Sequence, residues 1–190
     1  MKEILWHGRG GQGVVVAAQI LAEAAYLAGF KGVTSAPAFG PERRGSPVTA
    51  SSRIAGEPVR TFSQIEQADV AIVLDDSLFK VVDILNRLKK EGLIIINTAA
   101  QPDQVGIEGC FEVATVDAVG IALKHHLIRE GAPVFNTTIL GAFARATGLV
   151  SLEHIERALE GKISRDAVAR NFSTVKDAYE HTVLRQKAQS

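Results

Sequence analysis

Ile4-Leu5-Trp6, the turn Gly8-Arg9-Gly10-Gly11-Gln12-Gly13 and an apolar run from Val14 to Leu27 that stops at Gly29 together decide the fold. A short apolar run, a glycine-rich break and a series of good helix formers read as strand, turn and helix. Gln19 and Glu23 are the helix's few polar positions, so something besides its own sheet must cover it. Gly8, Gly10 and Gly13 meet a G-x-G-x-x-G spacing, and Gly11 and Gln12 complete the turn. Glycine permits unusual backbone angles and close approach of an anion, and a helix start offers unpaired N–H donors. The Gln12 amide could donate to an anion or accept from a hydroxyl. The same turn would serve equally to pack a strand tightly on a helix. A nicotinamide dinucleotide makes a further demand, a carboxylate about 20 residues on at the end of the second strand. That stretch is Val33-Thr34-Ser35-Ala36-Pro37, and the first acid beyond it is Glu42.

Outward from the turn, Lys31–Ala36 reads as a second strand. Pro37–Pro47 reads as a proline-rich loop, and the alternation over Val48–Ile54 marks a half-buried strand. Ala55-Gly56-Glu57 predicts a turn into a short strand at Val59-Arg60-Thr61, which would make part of the sheet antiparallel. Ser63-Gln64-Ile65-Glu66 fits a capping box that starts a short helix. Val70–Leu74 is a continuous apolar strand, followed by a helix from about Leu78 to Glu91 with Gly92 as its stop. Strands at Leu93–Ile96 and Phe111–Val116 precede helices at Ala118–Arg129, Thr138–Thr147, Leu152–Leu159 and Arg165–Gln186. The last helix carries Val168, Phe172, Val175, Tyr179 and Val183 as a core-facing stripe. The expectation is one α/β domain over residues 1–190: a three-layer α/β/α arrangement, a largely parallel, partly mixed sheet, and a helical C-terminal portion over about 118–187.

Composition narrows the function. The 190 residues are 46% hydrophobic, enough for a full core, and 21 basic residues balance 21 acidic ones. No surplus positive charge exists to displace counterions from nucleic acid or to hold a polybasic segment on a membrane. Apolar runs are too short to span a bilayer, and Met1-Lys2-Glu3 leads straight into a strand rather than a signal peptide. A cytoplasmic protein is expected. The one cysteine, Cys110, excludes an internal disulfide and any cysteine-ligated cluster held by this chain alone, and a buried inert thiol is its default.

Arg43-Arg44 place two adjacent guanidiniums in the proline-rich loop, suited to phosphate or carboxylate; alternatively one pairs with Glu42 on the surface. Asp75-Asp76, after a buried strand, could hold a ribose or Mg2+ but more simply cap the helix expected after them. With the glycine turn and Thr98-Ala99-Ala100 they would line the carboxyl edge of the sheet, where open α/β sheets bind ligands. Asn136 and Thr137 precede a helix, as caps or ligand contacts. His125 and His126 are sequence neighbours and cannot share a helix face, and His7 adjoins the turn. No metal-ligand set and no catalytic residue stands out.

Two long segments, Gly8-Arg9-Gly10-Gly11-Gln12-Gly13 and Phe39-Gly40-Pro41-Glu42-Arg43-Arg44-Gly45, with the shorter Asn136-Thr137-Thr138-Ile139-Leu140-Gly141-Ala142, resemble the gamma subunit of 2-oxoacid:ferredoxin oxidoreductases. The likeness covers nearly the whole chain, in order, and the G-P-E-R-R-G loop is most similar to pyruvate/ketoisovalerate-type members. Arg9 and Ser46 read as tolerated variations within it. The resemblance implies a subunit of an enzyme that converts a 2-oxoacid and coenzyme A to an acyl-CoA and CO2 while reducing ferredoxin. It implies that thiamine diphosphate, Mg2+ and iron–sulfur clusters reside in alpha-, beta- and delta-type partner subunits. The glycine turn, Arg43, Arg44, Asn136 and Thr137 would then face coenzyme A or those partners. A homodimer of the isolated chain stays open. The alternatives are a free-standing dinucleotide-dependent oxidoreductase and a nucleotide-sensing module.

Overall fold

β1 (Lys2–Arg9) is apolar on both sides, and it takes a central place for that reason. Ile4 and Trp6 are buried in one core, Leu5 in the other. The computed structural model describes residues 1–37, 43–61 and 63–185. Around β1 lie β2 (Gly32–Pro37), β3 (Pro47–Ala55), β4 (Ala68–Val73), β5 (Leu88–Asn97) and β6 (Glu112–Val116). A hairpin of β7 (Ile128–Arg129) and β8 (Ala132–Pro133) stands apart, and β9 (Val183–Arg185) returns to the main sheet. The helices are α1 (Val14–Leu27), α2 (Ala118–Lys124), α3 (Ile139–Thr147), α4 (Leu152–Glu160) and α5 (Arg165–His181).

Among the described residues the main sheet has seven strands in the order β2-β3-β1-β4-β5-β6-β9. β1, β4, β5 and β6 run parallel; β3 lies antiparallel to β1, β2 to β3, and β9 to β6. After β1 the chain crosses by α1 to one side of the sheet; after β4 it moves to the other. That reversal between β1 and β4 opens a crevice at their carboxyl ends.

Strict alternation separates two cores. Ile4, Trp6, Val70, Ile72, Leu93 and Ile95 pack with residues of all five α-helices. Leu5, Ala71, Val73, Ile94 and Ile96 pack on the other face with Leu78 and Ile84. The α/β single domain with a mixed sheet is as expected, and so is the layer on each face. The second layer is made of 3-10 turns at Asp76–Lys80 and Leu85–Arg87 and the segments around them, rather than of α-helices. α4 supplies the extra cover that the apolar α1 requires.

Several elements differ from the sequence reading, each for a local reason. The expected helix over 78–91 gives way to those two 3-10 turns. β5 then starts at Leu88, with a register break opposite Ala68 and Val70, and Glu91 has a positive φ. β-branched Val81 and Val82 and the short polar Asp83 and Asn86 weaken a helix there. No helix forms from Ser63, because its carbonyls serve arginines instead: Arg53 Nη2 donates to Ser63 O at 2.6 Å and Arg87 Nη2 to Ile65 O at 2.8 Å. Val59-Arg60-Thr61 is not a strand; Val59 crosses over Gly32, where a Cβ would stand 2.8 Å from its nitrogen. α2 stops at Lys124, short of Arg129, and Glu130-Gly131, both with positive φ, turn the small hairpin. α5 ends at His181, so Val183 pairs with Thr115 in the sheet instead of extending the helical stripe. Cys110 is exposed, not buried. Phe39-Gly40-Pro41-Glu42 and Gln186 lie outside the described residues.

Candidate functional site

The glycine turn leaves β1 at the β1/β4 crevice, and three segments distant in sequence converge on it. Gly10 pairs with the arginine segment: its N–H donates to Ser46 O at 2.9 Å, and Gly45 N–H donates to Gly10 O at 3.0 Å. A Cβ on Gly10 would stand 2.3 Å from Arg43 O, so only glycine lets the two backbones approach this closely. A Cβ on Gly8 would meet Val14 at 2.4 Å, and one on Gly13 would meet Asn136 Nδ2 at 2.5 Å. Asn136 Nδ2 donates to Gly13 O at 3.1 Å. Gly11, with φ 94°, is the open one; the nearest neighbour to its missing Cβ is Arg44 Cγ at 3.8 Å.

The sequence-predicted residues thus gather around one turn, with different duties. Gly8, Gly10 and Gly13 make room for this chain's own atoms. Gln12 is committed at both ends of its amide: Oε1 accepts from Arg9 N–H at 2.7 Å and Nε2 donates to Asp75 Oδ2 at 3.1 Å. Thr137 is buried, and its hydroxyl donates to Asn171 Oδ1 of α5 at 2.7 Å. Arg43 and Arg44 are exposed, and neither guanidinium has a partner among the described residues. α1 starts at Gly13 with no side-chain cap and no acid in its first turn, which leaves its first N–H groups open. The face therefore offers two cations, unpaired among the described residues, beside an open helix start, a setting suited to an anion.

Two residues escaped the sequence reading. Arg9 Nε donates to Asp75 Oδ2 at 2.9 Å, Nη2 to Ser77 Oγ at 2.7 Å and Nη1 to Gly45 O at 3.1 Å. Asn97, at the end of β5, donates to Leu74 O at 2.9 Å and accepts from Ala118 N–H at 2.9 Å, joining the crevice to the start of α2. Polar residues at strand ends were the signal, but their targets lie 21 or more residues away in sequence. Asp75 also caps the 3-10 turn, accepting from Ser77 N–H at 3.1 Å. Burial pushes its carboxyl up, but hydrogen bonds from Ser77 and Gln12 and the Arg9 charge outweigh that and hold it below the usual carboxylate range.

Thr98-Ala99-Ala100 do not join this crevice. They line a separate cavity of about 450 Å3, with Asp117, Lys124, Asp177 and His181. His7 lies just below the glycine turn, buried, with Nε2 unpartnered, and burial followed by the nearby Arg87 charge lowers its pKa to about 4. No helix is long and apolar enough to cross a membrane.

Known proteins match this chain along nearly its whole length. The common gamma subunit of pyruvate/ketoisovalerate oxidoreductases from Pyrococcus furiosus is 47% identical over 186 residues, covering 96% of this chain and 97% of that one. Pyruvate synthase subunit PorC of Methanothermobacter marburgensis is 42% identical over 180 residues, 95% and 97% of the two chains. The crystal structure of pyruvate oxidoreductase subunit PORC from Thermotoga maritima superposes with a TM-score of 0.81 at 35% identity, covering 98% of this chain and all of that one. The alternatives of a free-standing dinucleotide-dependent enzyme or a nucleotide sensor gain no support from these relatives. The family model for pyruvate ferredoxin/flavodoxin oxidoreductase matches residues 3–181, and this chain belongs to that family.

Proposed function

We propose that this chain is the gamma subunit of a pyruvate-type 2-oxoacid:ferredoxin oxidoreductase, and that it presents the glycine turn and Arg43-Arg44 to coenzyme A at a junction with partner subunits. The overall reaction takes a 2-oxoacid, coenzyme A and two oxidised ferredoxins to an acyl-CoA, CO2, a proton and two reduced ferredoxins. Thiamine diphosphate with Mg2+ supplies decarboxylation and iron–sulfur clusters supply electron transfer, both in alpha-, beta- and delta-type partners. The single cysteine of this chain does not suffice for a cluster. Coenzyme A fits better, because its phosphates suit free guanidiniums beside an open helix start.

The observation that carries this reading is the pair of arginines, without partners among the described residues, held against the turn by main-chain contacts that Gly10 alone permits. The test uses the co-expressed complex. Affinity capture of this chain should retain thiamine- and cluster-containing subunits and pyruvate-dependent ferredoxin reduction. Arg43→Ala with Arg44→Ala should lower kcat/KM for coenzyme A by roughly 10- to 100-fold, the loss of two charge-assisted contacts. The melting temperature of the chain should hardly move. Capture without partners, or an unchanged dependence on coenzyme A, would refute the proposal.

A further inference from the structure

We infer that Arg9 is a positioning residue: its one guanidinium pins the segment carrying Arg43 and Arg44 to the glycine turn and to the loop after β4. Each of its three nitrogens has its own acceptor, Asp75 Oδ2 at 2.9 Å, Ser77 Oγ at 2.7 Å and Gly45 O at 3.1 Å. The residues it joins are 36, 66 and 68 positions away in the chain, so no local turn would hold them in register. The arrangement closes on itself: Gln12 accepts from the Arg9 N–H and donates to the same Asp75 oxygen that Arg9 Nε reaches. Arg9 is thereby fixed at backbone and side chain together.

Asp75 also neutralises Arg9. The uncompensated cations of this face are then Arg43 and Arg44, both exposed and unpaired among the described residues. Only a planar fork with donors in three directions can serve the three acceptors at once; a lysine ammonium at the end of a flexible stem cannot. Resting on the function proposed above, this pinning sets where the two arginines meet coenzyme A.

The full chain carrying Arg9→Lys, followed by amide hydrogen exchange, tests the pinning. The Gly45 and Ser46 amides, bonded to Gly10 O and Arg43 O, should exchange roughly tenfold faster, while those of Ile72 and Ile95 keep their wild-type rates. Asp75→Asn, which keeps the shape but removes the charge, should accelerate the same two amides to a smaller extent, and it serves as well should Arg9→Lys fail to fold. Unchanged exchange at Gly45 in both variants would overturn the inference. So would equal acceleration of loop and core, which would make Arg9 a general prop of the fold. In the assembled complex, Arg9→Lys should raise the apparent KM for coenzyme A by a larger factor than it lowers kcat. Faster loop exchange with an unaltered KM would uphold the pinning and refute the assignment of the arginines to coenzyme A.

Discussion

Between β1 and β4, Asp75 neutralises Arg9, and Arg43 and Arg44 have no partners among the described residues. Beyond β6, Asp177 takes both Lys124 Nζ at 2.9 Å and His125 Nε2 at 2.8 Å around the cavity of about 450 Å3. The two places lie on the same edge of one sheet, yet the lysine facing the cavity is satisfied internally, while Arg43 and Arg44 have no partner among the described residues. A charge already paired has little left to offer an incoming anion. Recognition at this edge should follow unpaired charge rather than empty volume.

The most disruptive way to break that contrast is Gly10→Val. Its Cβ would stand 2.3 Å from Arg43 O and force the arginine segment off the turn. Displacement of that order should cost roughly 100-fold in the activity of the co-expressed complex. Wild-type ferredoxin reduction by this variant would show that the close approach does not matter.

Acid should separate the two places next. His7 is buried beneath the first, and its main-chain oxygen accepts from Leu74 N–H, one residue before Asp75, at 2.8 Å. Because its folded pKa of about 4 lies below the ordinary 6.5, the unfolded chain binds the proton first. Stability contributed by neutral His7 is whole above pH 6.5, falls as pH drops, and is lost below about 4, a change of about 3 kcal/mol. Asp177, held down first by its hydrogen bond to His125 and then by Lys124, keeps its contribution to lower pH, losing it only below the ordinary carboxylate value of 3.8. Urea titrations from pH 7 to 4 on wild type and His7→Phe should show the slope flattened in the variant. An equal slope would remove His7 from the account.

The smallest effect belongs to Lys124→Ala. This lysine is 67% exposed, so its loss should cost under about 1 kcal/mol by thermal melting and leave KM for coenzyme A unaltered. A rise in that KM would bring the cavity into the coenzyme A site and erase the contrast.

Periodicity made β1, α1, β3, β4 and the helices from α3 onward legible, since each buries an apolar face that repeats at its own spacing. The gathering of the glycine turn, the arginine segment and Asn136 was legible only through the resemblance. What escaped depends on partners far along the chain. Arg53 and Arg87 claim the carbonyls that a helix from Ser63 would have needed. Arg9 looked like a filler between glycines until Asp75, Ser77 and Gly45 came within its reach. Residues 78–91 mixed apolar and polar positions in a way that suited a helix, but pairing of Leu88 with Ala68 recruited their end into the sheet.

β9 carries a consequence of its own. By lying antiparallel along Val113, Ala114 and Thr115, the three residues of β9 occupy the amides and carbonyls that β6 would otherwise hold out to any extended peptide. Arg185 fastens them further by reaching Asp103 and the carbonyls of Pro102 and Ile107. The border itself is then β9, only three residues long and so a poor template for a further strand. At the opposite border β2 ends in Pro37, whose ring has no N–H to give. A border strand of three residues on one side and a proline at the end of the other both work against lengthening of this sheet by a neighbouring chain.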